Sequence, residues 1–180
     1  MKLLIASDLH GSAHYCEKLL ARVDAEQPDK ILLLGDLLYH GPRNDLPQGY
    51  APKQVIPMLN GLKDKIIAVR GNCDAEVDQM VLEFPILAEY SLLHLDGCTI
   101  YAAHGHLAGP DNPPPLQKGD VLLCGHIHLP VERSCGDYIY LNPGSVSLPK
   151  DGTPHSYMLL ENGVFSWHDL LTGETFQPLG

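Results

Sequence analysis

Basic residues are scarce in this chain of 180 residues: 12 lysines and arginines face 22 aspartates and glutamates, a formal net charge of −10 at pH 7. Such a surface repels a phosphate backbone, which argues against a long nucleic acid held by charge. Aromatic residues make up only 7% of the chain, so a basic, aromatic-studded patch for single strands is missing as well. A small phosphorylated substrate stays open, because a bound metal reverses the sign of the field locally. Cysteines are few, odd in number (Cys16, Cys73, Cys98, Cys124 and Cys135) and never spaced C-x-x-C. That excludes a disulfide framework or cysteine-rich zinc site and suggests a reducing, cytoplasmic setting. No run approaches the ~18 apolar residues of a membrane helix. The apolar N-terminus MKLLIASD breaks at Asp8, too early for a signal peptide, and no A-x-A site follows. Low-complexity tracts and internal repeats are absent, and the length favours one domain, residues 1–180.

What is present divides into two halves. Lys2–Ala6, Ile31–Leu34 and Ile66–Val69 read as buried strands. Between them, His14–Val23 has helical spacing with Ser12 as N-cap, and Lys53–Leu62 reads as a short helix despite Pro57. Strand–helix–strand–helix–strand is the pattern of a parallel α/β sheet. Gly41–Pro52, with three prolines and two glycines, is a loop. In the second half, Leu87–Leu95 and Thr99–Ala103 flank Asp96-Gly97, Val131–Cys135 and Tyr138–Leu141 flank Gly136-Asp137, and Met158–Glu161 and Val164–His168 flank Asn162-Gly163. These are three hairpins, with the run Val121–Cys124 between the first two. The expected architecture is a mixed α/β fold of two packed mixed sheets with helices outside.

Chemistry collects where apolar runs end. Asp8-Leu9-His10, Gly35-Asp36, Gly71-Asn72, His104-Gly105-His106 and Gly125-His126-Ile127-His128 each follow a strand directly. Singly, each is ordinary: Asp-x-His is a common cap, Gly-Asp and Gly-Asn are turns, and His-x-His is an edge pattern. Five strand ends each carrying a metal-capable group are not ordinary, because sites in open α/β sheets lie at the carboxyl ends of strands. Carboxylate, imidazole and amide oxygen suit Mn²⁺, Fe²⁺ or Zn²⁺. The donors exceed the needs of one ion and match two ions about 3.5–4 Å apart that share a carboxylate, an arrangement suited to phosphoryl transfer to water.

Together these motifs resemble the calcineurin-like metallophosphoesterases over nearly the whole chain. The strings YHGPRN (Tyr39–Asn44), RGNCD (Arg70–Asp74) and NPGSVS (Asn142–Ser147) are similar to its small bacterial phosphodiesterases of the YfcE type. The resemblance implies a four-layer αββα sandwich with a dinuclear centre at the strand C-terminal ends. It implies Asp8, His10, Asp36 and His128 around a first metal and Asp36, Asn72, His104 and His126 around a second, with Asp36 as the bridge. It further implies two divalent ions, Mn²⁺ ahead of Zn²⁺, Fe²⁺, Ni²⁺ or Co²⁺. The implied reaction is hydrolysis of a small phosphodiester by in-line attack of a metal-bridging hydroxide, with Asp36, Asn72 and His104 serving catalysis.

Cys73 departs from the pattern, since much of the family has histidine after the asparagine. A thiol carries no positive charge and donates hydrogen bonds weakly. Its presence should penalise monoester dianions most and leave room for a diester's second substituent. A core filler, an extra ligand and a nucleophile are the other readings of Cys73. Without an imidazole to orient, Asp74 is expected to cap a helix over Ala75–Leu82. Arg43 and His106 are candidates for substrate contact and His40 has the same standing, whereas His14, His94, His155 and His168 read as structural or exposed. A phosphomonoesterase or an interaction scaffold are the competing functions; the competent residue at every ligand position favours catalysis. Exposed hairpin edges would allow a homo-oligomer.

Overall fold

Alternation of side-chain direction along the strands builds two sheets and three apolar layers. The computed structural model describes residues 1–95 and 97–180, so Asp96 of the expected Asp96-Gly97 turn lies outside the described residues. The first half runs β1 (Lys2–Ala6), α1 (Ala13–Glu26), β2 (Lys30–Leu33), α2 (Pro52–Asn60), β3 (Ile66–Ala68) and α3 (Glu76–Gln79). The second half is all strand: β4 (Tyr90–Leu95), β5 (Cys98–Ala103), β6 (Val121–Leu123), β7 (Pro130–Cys135), β8 (Tyr138–Pro143), β9 (Ser156–Glu161), β10 (Val164–Asp169) and β11 (Thr175–Phe176).

The first sheet has the order β11-β10-β9-β1-β2-β3 and the second β4-β5-β6-β8-β7. β1, β2 and β3 are parallel, as are β5, β6 and β8; the outer strands are antiparallel. In the first sheet Leu4, Ala6, Ile31, Leu33, Tyr157 and Leu159 face the helices, against Leu19 and Val23 of α1 and Val55 and Leu59 of α2. Their alternates Leu3, Ile5, Leu32, Met158 and Leu160 face the second sheet, meeting Ile100, Ala102, Val121, Leu123 and Leu141. Each fully buried Leu or Ile contributes on the order of 2 kcal/mol. On the outer face of the second sheet Leu122, Cys124 and Tyr140 pack with Leu116 of the β5–β6 connection. Among the described residues no helix covers that face, because the chain after α3 supplies none.

β9 and β10 join the first sheet through β1. The helix expected over Lys53–Leu62 forms as α2 with Pro57 inside it; the carbonyl Pro57 frees belongs to Lys53, which is exposed. One local expectation changes. α3 is much shorter than Ala75–Leu82 and Asp74 does not cap it. The Gln79 side chain bonds the Leu82 and Phe84 carbonyls and the Ile86 amide, so the chain turns around it. The described helices include none long and apolar enough to cross a membrane.

Candidate metal centre

The parallel ladders continue past the strand ends and carry the polar residues with them. Asp8 N–H donates to Gly35 (3.1 Å), His10 N–H to Asp36 (2.8 Å) and Gly125 N–H to His104 (2.8 Å). The chain leaves β1, β2 and β6 through left-handed non-glycine residues and β5 through the left-handed Gly105. Of the eight non-glycine residues with positive φ among the described residues, five are Asp8, His10, Asp36, His126 and His128, at φ 48–71°. That conformation costs on the order of 1 kcal/mol per residue and clusters at functional sites. Approach is close: a Cβ on Gly125 would overlap the Ser7 hydroxyl and come within 2.9 Å of Asp8 Oδ2.

The structure brings all seven expected ligands together. His10, His104 and His128 turn Nδ1 to the carbonyls of Tyr39, Leu34 and Leu148 at 2.8, 2.6 and 2.7 Å. A ring nitrogen facing a carbonyl is N–H, so each ring turns Nε2 toward the centre, where it can ligate a metal once that nitrogen is unprotonated. His10 and His128 bring these Nε2 atoms to 3.2 Å of each other. That spacing fits a shared ion: nitrogens ~2.0–2.1 Å from one ion lie about 3–3.4 Å apart at ordinary coordination angles. Asp8 Oδ1 lies 3.2 Å from His128 Nε2 and 3.6 Å from His10 Nε2. It is buried with no hydrogen-bond partner among the described residues, while Asp8 Oδ2 accepts from His126 N–H at 2.9 Å. An orphaned carboxylate oxygen beside two imidazole nitrogens fits a divalent cation.

A second set adjoins the first. His104 Nε2 lies 3.1 Å from Asn72 Oδ1 and 3.2 Å from His126 Nδ1. Asp36 Oδ2 sits between the sets, 3.6 Å from His10 Nε2 and 3.5 Å from His104 Nε2. Its other oxygen accepts from Cys73 N–H at 2.8 Å. Asp8, His10, Asp36, His104 and His128 are buried; His126 is half-buried and Asn72 exposed, so the second set opens to solvent.

The field here favours positive charge. Burial alone would raise the Asp8 carboxyl, but the facing imidazoles of His10, His128 and His104 hold it well below the carboxylate range. Burial opposes charge on His104 too, yet Asp36 and Asp8 lift it to about 9. His126, half-buried beside that cation, falls to about 4. Burial, then Asp36, pushes the Cys73 thiol up to about 12, which leaves it protonated and unsuited to attack.

Beside the centre opens a cleft of about 410 Å³ lined by Asp36, Asn72, Cys73, His126 and His128 together with Arg43 and Lys150. Arg43 therefore faces it, and Cys73 Sγ lies near enough to His10 and Asp36 to share a cation with them. His106 lies on another side, its ring centroid 5.4 Å from His104, in a smaller cleft with Arg70 and Asn72. His40 is wedged between Tyr39 and Tyr50 and is absent from the cleft lining.

Three supports escape sequence reasoning. Asp74 accepts from the N–H groups of Asp36 (2.8 Å), Leu37 (2.9 Å) and Gly71 (2.8 Å), bracing the turns that carry Asp36 and Asn72. Burial raises its pKa despite these bonds. Ser145 and Ser147 both donate to the Asp8 carbonyl, at 2.8 and 3.1 Å. Lys150 joins the cleft wall, its N–H donating a hydrogen bond to the His128 carbonyl at 3.2 Å. The string NPGSVS hinted at the serines; no spacing signal marks Asp74's acceptor role or Lys150.

Comparison with known proteins agrees with this fold. The profile described as a calcineurin-like phosphoesterase superfamily domain matches residues 1–163. Phosphodiesterase YfcE of Escherichia coli strain K12 is 51% identical over 166 residues, covering 92% of this chain and 90% of that protein. A solved structure of Yfce, described as a phosphoesterase from E. coli, superposes with a TM-score of 0.96 at 47% identity, over 99% of this chain and 98% of that one. Vacuolar protein sorting 29 from Cryptosporidium parvum shares the fold at 19% identity, with a TM-score of 0.64 over 97% of this chain and 94% of that one. The chain belongs to the calcineurin-like phosphoesterase superfamily.

Proposed function

We propose that the protein is a metal-dependent phosphodiesterase acting on a small diester, with residues 1–180 as one catalytic domain and two ions, Mn²⁺ foremost, in the cage. The observation that carries this reading is Asp36 Oδ2, within 3.6 Å of imidazole nitrogens from both ligand sets while Cys73 N–H fixes its partner oxygen. Asp8, His10, Asp36 and His128 would hold one ion, and Asp36, Asn72, His104 and His126 the other. The ions supply Lewis-acid polarisation of the phosphoryl oxygens and an activated water. The chain's own part is to fix the donors through carbonyl-bound imidazoles, and to admit substrate on the open side beside Asn72 and His126. Arg43 would meet the substrate's anionic oxygens, and His106 its far side. Cys73 adds no cation where a monoester dianion would need one, which favours the diester. Five free cysteines suit a reducing, cytoplasmic setting.

The test strips the protein of metal, restores Mn²⁺, and compares bis-p-nitrophenyl phosphate with p-nitrophenyl phosphate. Metal-dependent cleavage favouring the diester is expected. Equal or faster monoester cleavage would refute the diester preference, and no cleavage of either with metal bound would refute the catalytic reading.

A further inference from the structure

Two cations stand on the outer wall of the cleft with no ion-pair partner among the described residues. Arg43 and Lys150 both line it, both are exposed, and neither side chain has a hydrogen-bond or ion-pair partner among the described residues. In a chain of net charge −10 this is an unusual concentration of free positive charge. The only carboxylate lining the same cleft is Asp36, which faces the imidazoles of the cage.

Their main-chain anchors are built. Lys150 N–H donates to the His128 carbonyl at 3.2 Å, and its own carbonyl accepts from Thr153 N–H (3.0 Å) and Oγ1 (2.7 Å). Arg43 sits in the turn Gly41–Asn44, closed by Asn44 N–H to Gly41 and pinned by Asn44 Nδ2 to the His40 carbonyl at 2.8 Å. Gly41, at φ +78°, packs that turn onto residue 73: a Cβ there would lie 2.9 Å from Cys73 Sγ. The short side chain of Cys73 is thus what lets the arginine-bearing turn stand so close to the centre.

The cage has donors enough for ions that engage the scissile phosphoryl group. Arg43 and Lys150 lie at the exposed lip of the same cleft. We infer that Arg43 and Lys150 form a clamp for a second phosphoryl group, selecting diesters that carry another phosphate beyond the scissile one. This inference rests on the phosphodiesterase reading and names its substrate class. Arginine gives a planar fork and lysine a point charge, a pairing suited to phosphate oxygens.

A substrate pair differing by one phosphate tests it: thymidine 5′-(p-nitrophenyl phosphate) and the same ester with a 3′-phosphate, assayed with the Mn²⁺-loaded protein. The 3′-phosphorylated ester is expected to be preferred by about tenfold in kcat/KM through a lower KM, the value of one charge-assisted hydrogen bond. Arg43→Ala with Lys150→Ala should bring that ratio close to one, and added salt should erode it in the wild type. A ratio near one in the wild type, or an unchanged ratio in the double variant, would overturn the clamp while leaving the diesterase intact. Failure to cleave either ester or bis-p-nitrophenyl phosphate would overturn both.

Discussion

At the start of β1, Lys2 Nζ donates to Glu26 at the end of α1 at 2.6 Å, and Tyr157 OH donates to the other Glu26 oxygen at 3.3 Å. Just beyond the other end of the same strand, Asp8 Oδ1 is buried without a partner, and His10 and His128 aim nitrogens at one point from 3.2 Å apart. One end of the sandwich answers its own charges. The other leaves them waiting for a cation and holds the arrangement with left-handed backbone. The difference separates parts of the fold that exist for stability from parts that the fold supports at a cost.

The sharpest way to break the contrast is Asp36→Asn, which removes the charge shared by both ligand sets. Diesterase activity should fall by at least about 100-fold, the upper range for groups that merely support a ligand. Bound Mn²⁺ per chain, read by elemental mass spectrometry, should fall with it; retention of about a tenth of the activity would contradict the bridging role. Next is Asp74→Ala, which strands three amides on the turns of Asp36, Leu37 and Gly71. It should cost roughly 3 kcal/mol in urea unfolding, and an effect below about 1 kcal/mol would deny the carboxylate its bracing role.

Cys73→His sharpens the comparison inside the site. An imidazole there should raise monoester over diester cleavage by about tenfold or more. It must also displace the Gly41 turn that rests on Sγ. An unchanged ratio would leave Cys73 a filler. The smallest effect belongs to the satisfied end. Burial opposes the Glu26 carboxylate, but Lys2 outweighs it and lowers its pKa. A lowered folded value means the contribution is full above the unfolded pKa, about 4.3, and fades as pH falls through the folded one. Glu26→Gln should therefore cost less than about 1 kcal/mol near neutrality. The gap from wild type should close in acid; a gap that widens there would reverse the sign.

Most of this was legible where the physics is local. Leu3 through Ala6 or Leu32 through Leu34 can be little but buried strand, and Gly136-Asp137 and Asn162-Gly163 mark the β7–β8 and β9–β10 hairpins whatever lies around them. Asp8, Asp36 and His104 were visible because each lies within three residues of the end of its strand. What stayed hidden depends on partners far along the chain. That β9 pairs with β1 rather than with β8, across the 159 positions that separate Lys2 from Glu161, is a matter of sheet assembly. Asp74 looked like a cap because its sequence neighbours suit one; its amide partners Asp36 and Leu37 lie 38 and 37 residues away. Lys150 reaches the cleft only because the strap after Pro143 returns to His128.

The left-handed backbone at Asp8, His10, Asp36, His126 and His128 has an evolutionary consequence. A lineage released from its chemistry could lose these donors one by one, but not the twist of chain beneath them. Replacements would be filtered to glycine, asparagine, aspartate and histidine, the residues that tolerate that conformation. Valine or isoleucine there would be purged for folding alone. An abandoned active site on this scaffold would then remain readable as a row of small or polar residues at its strand ends, a fossil kept by conformation after selection for activity had gone.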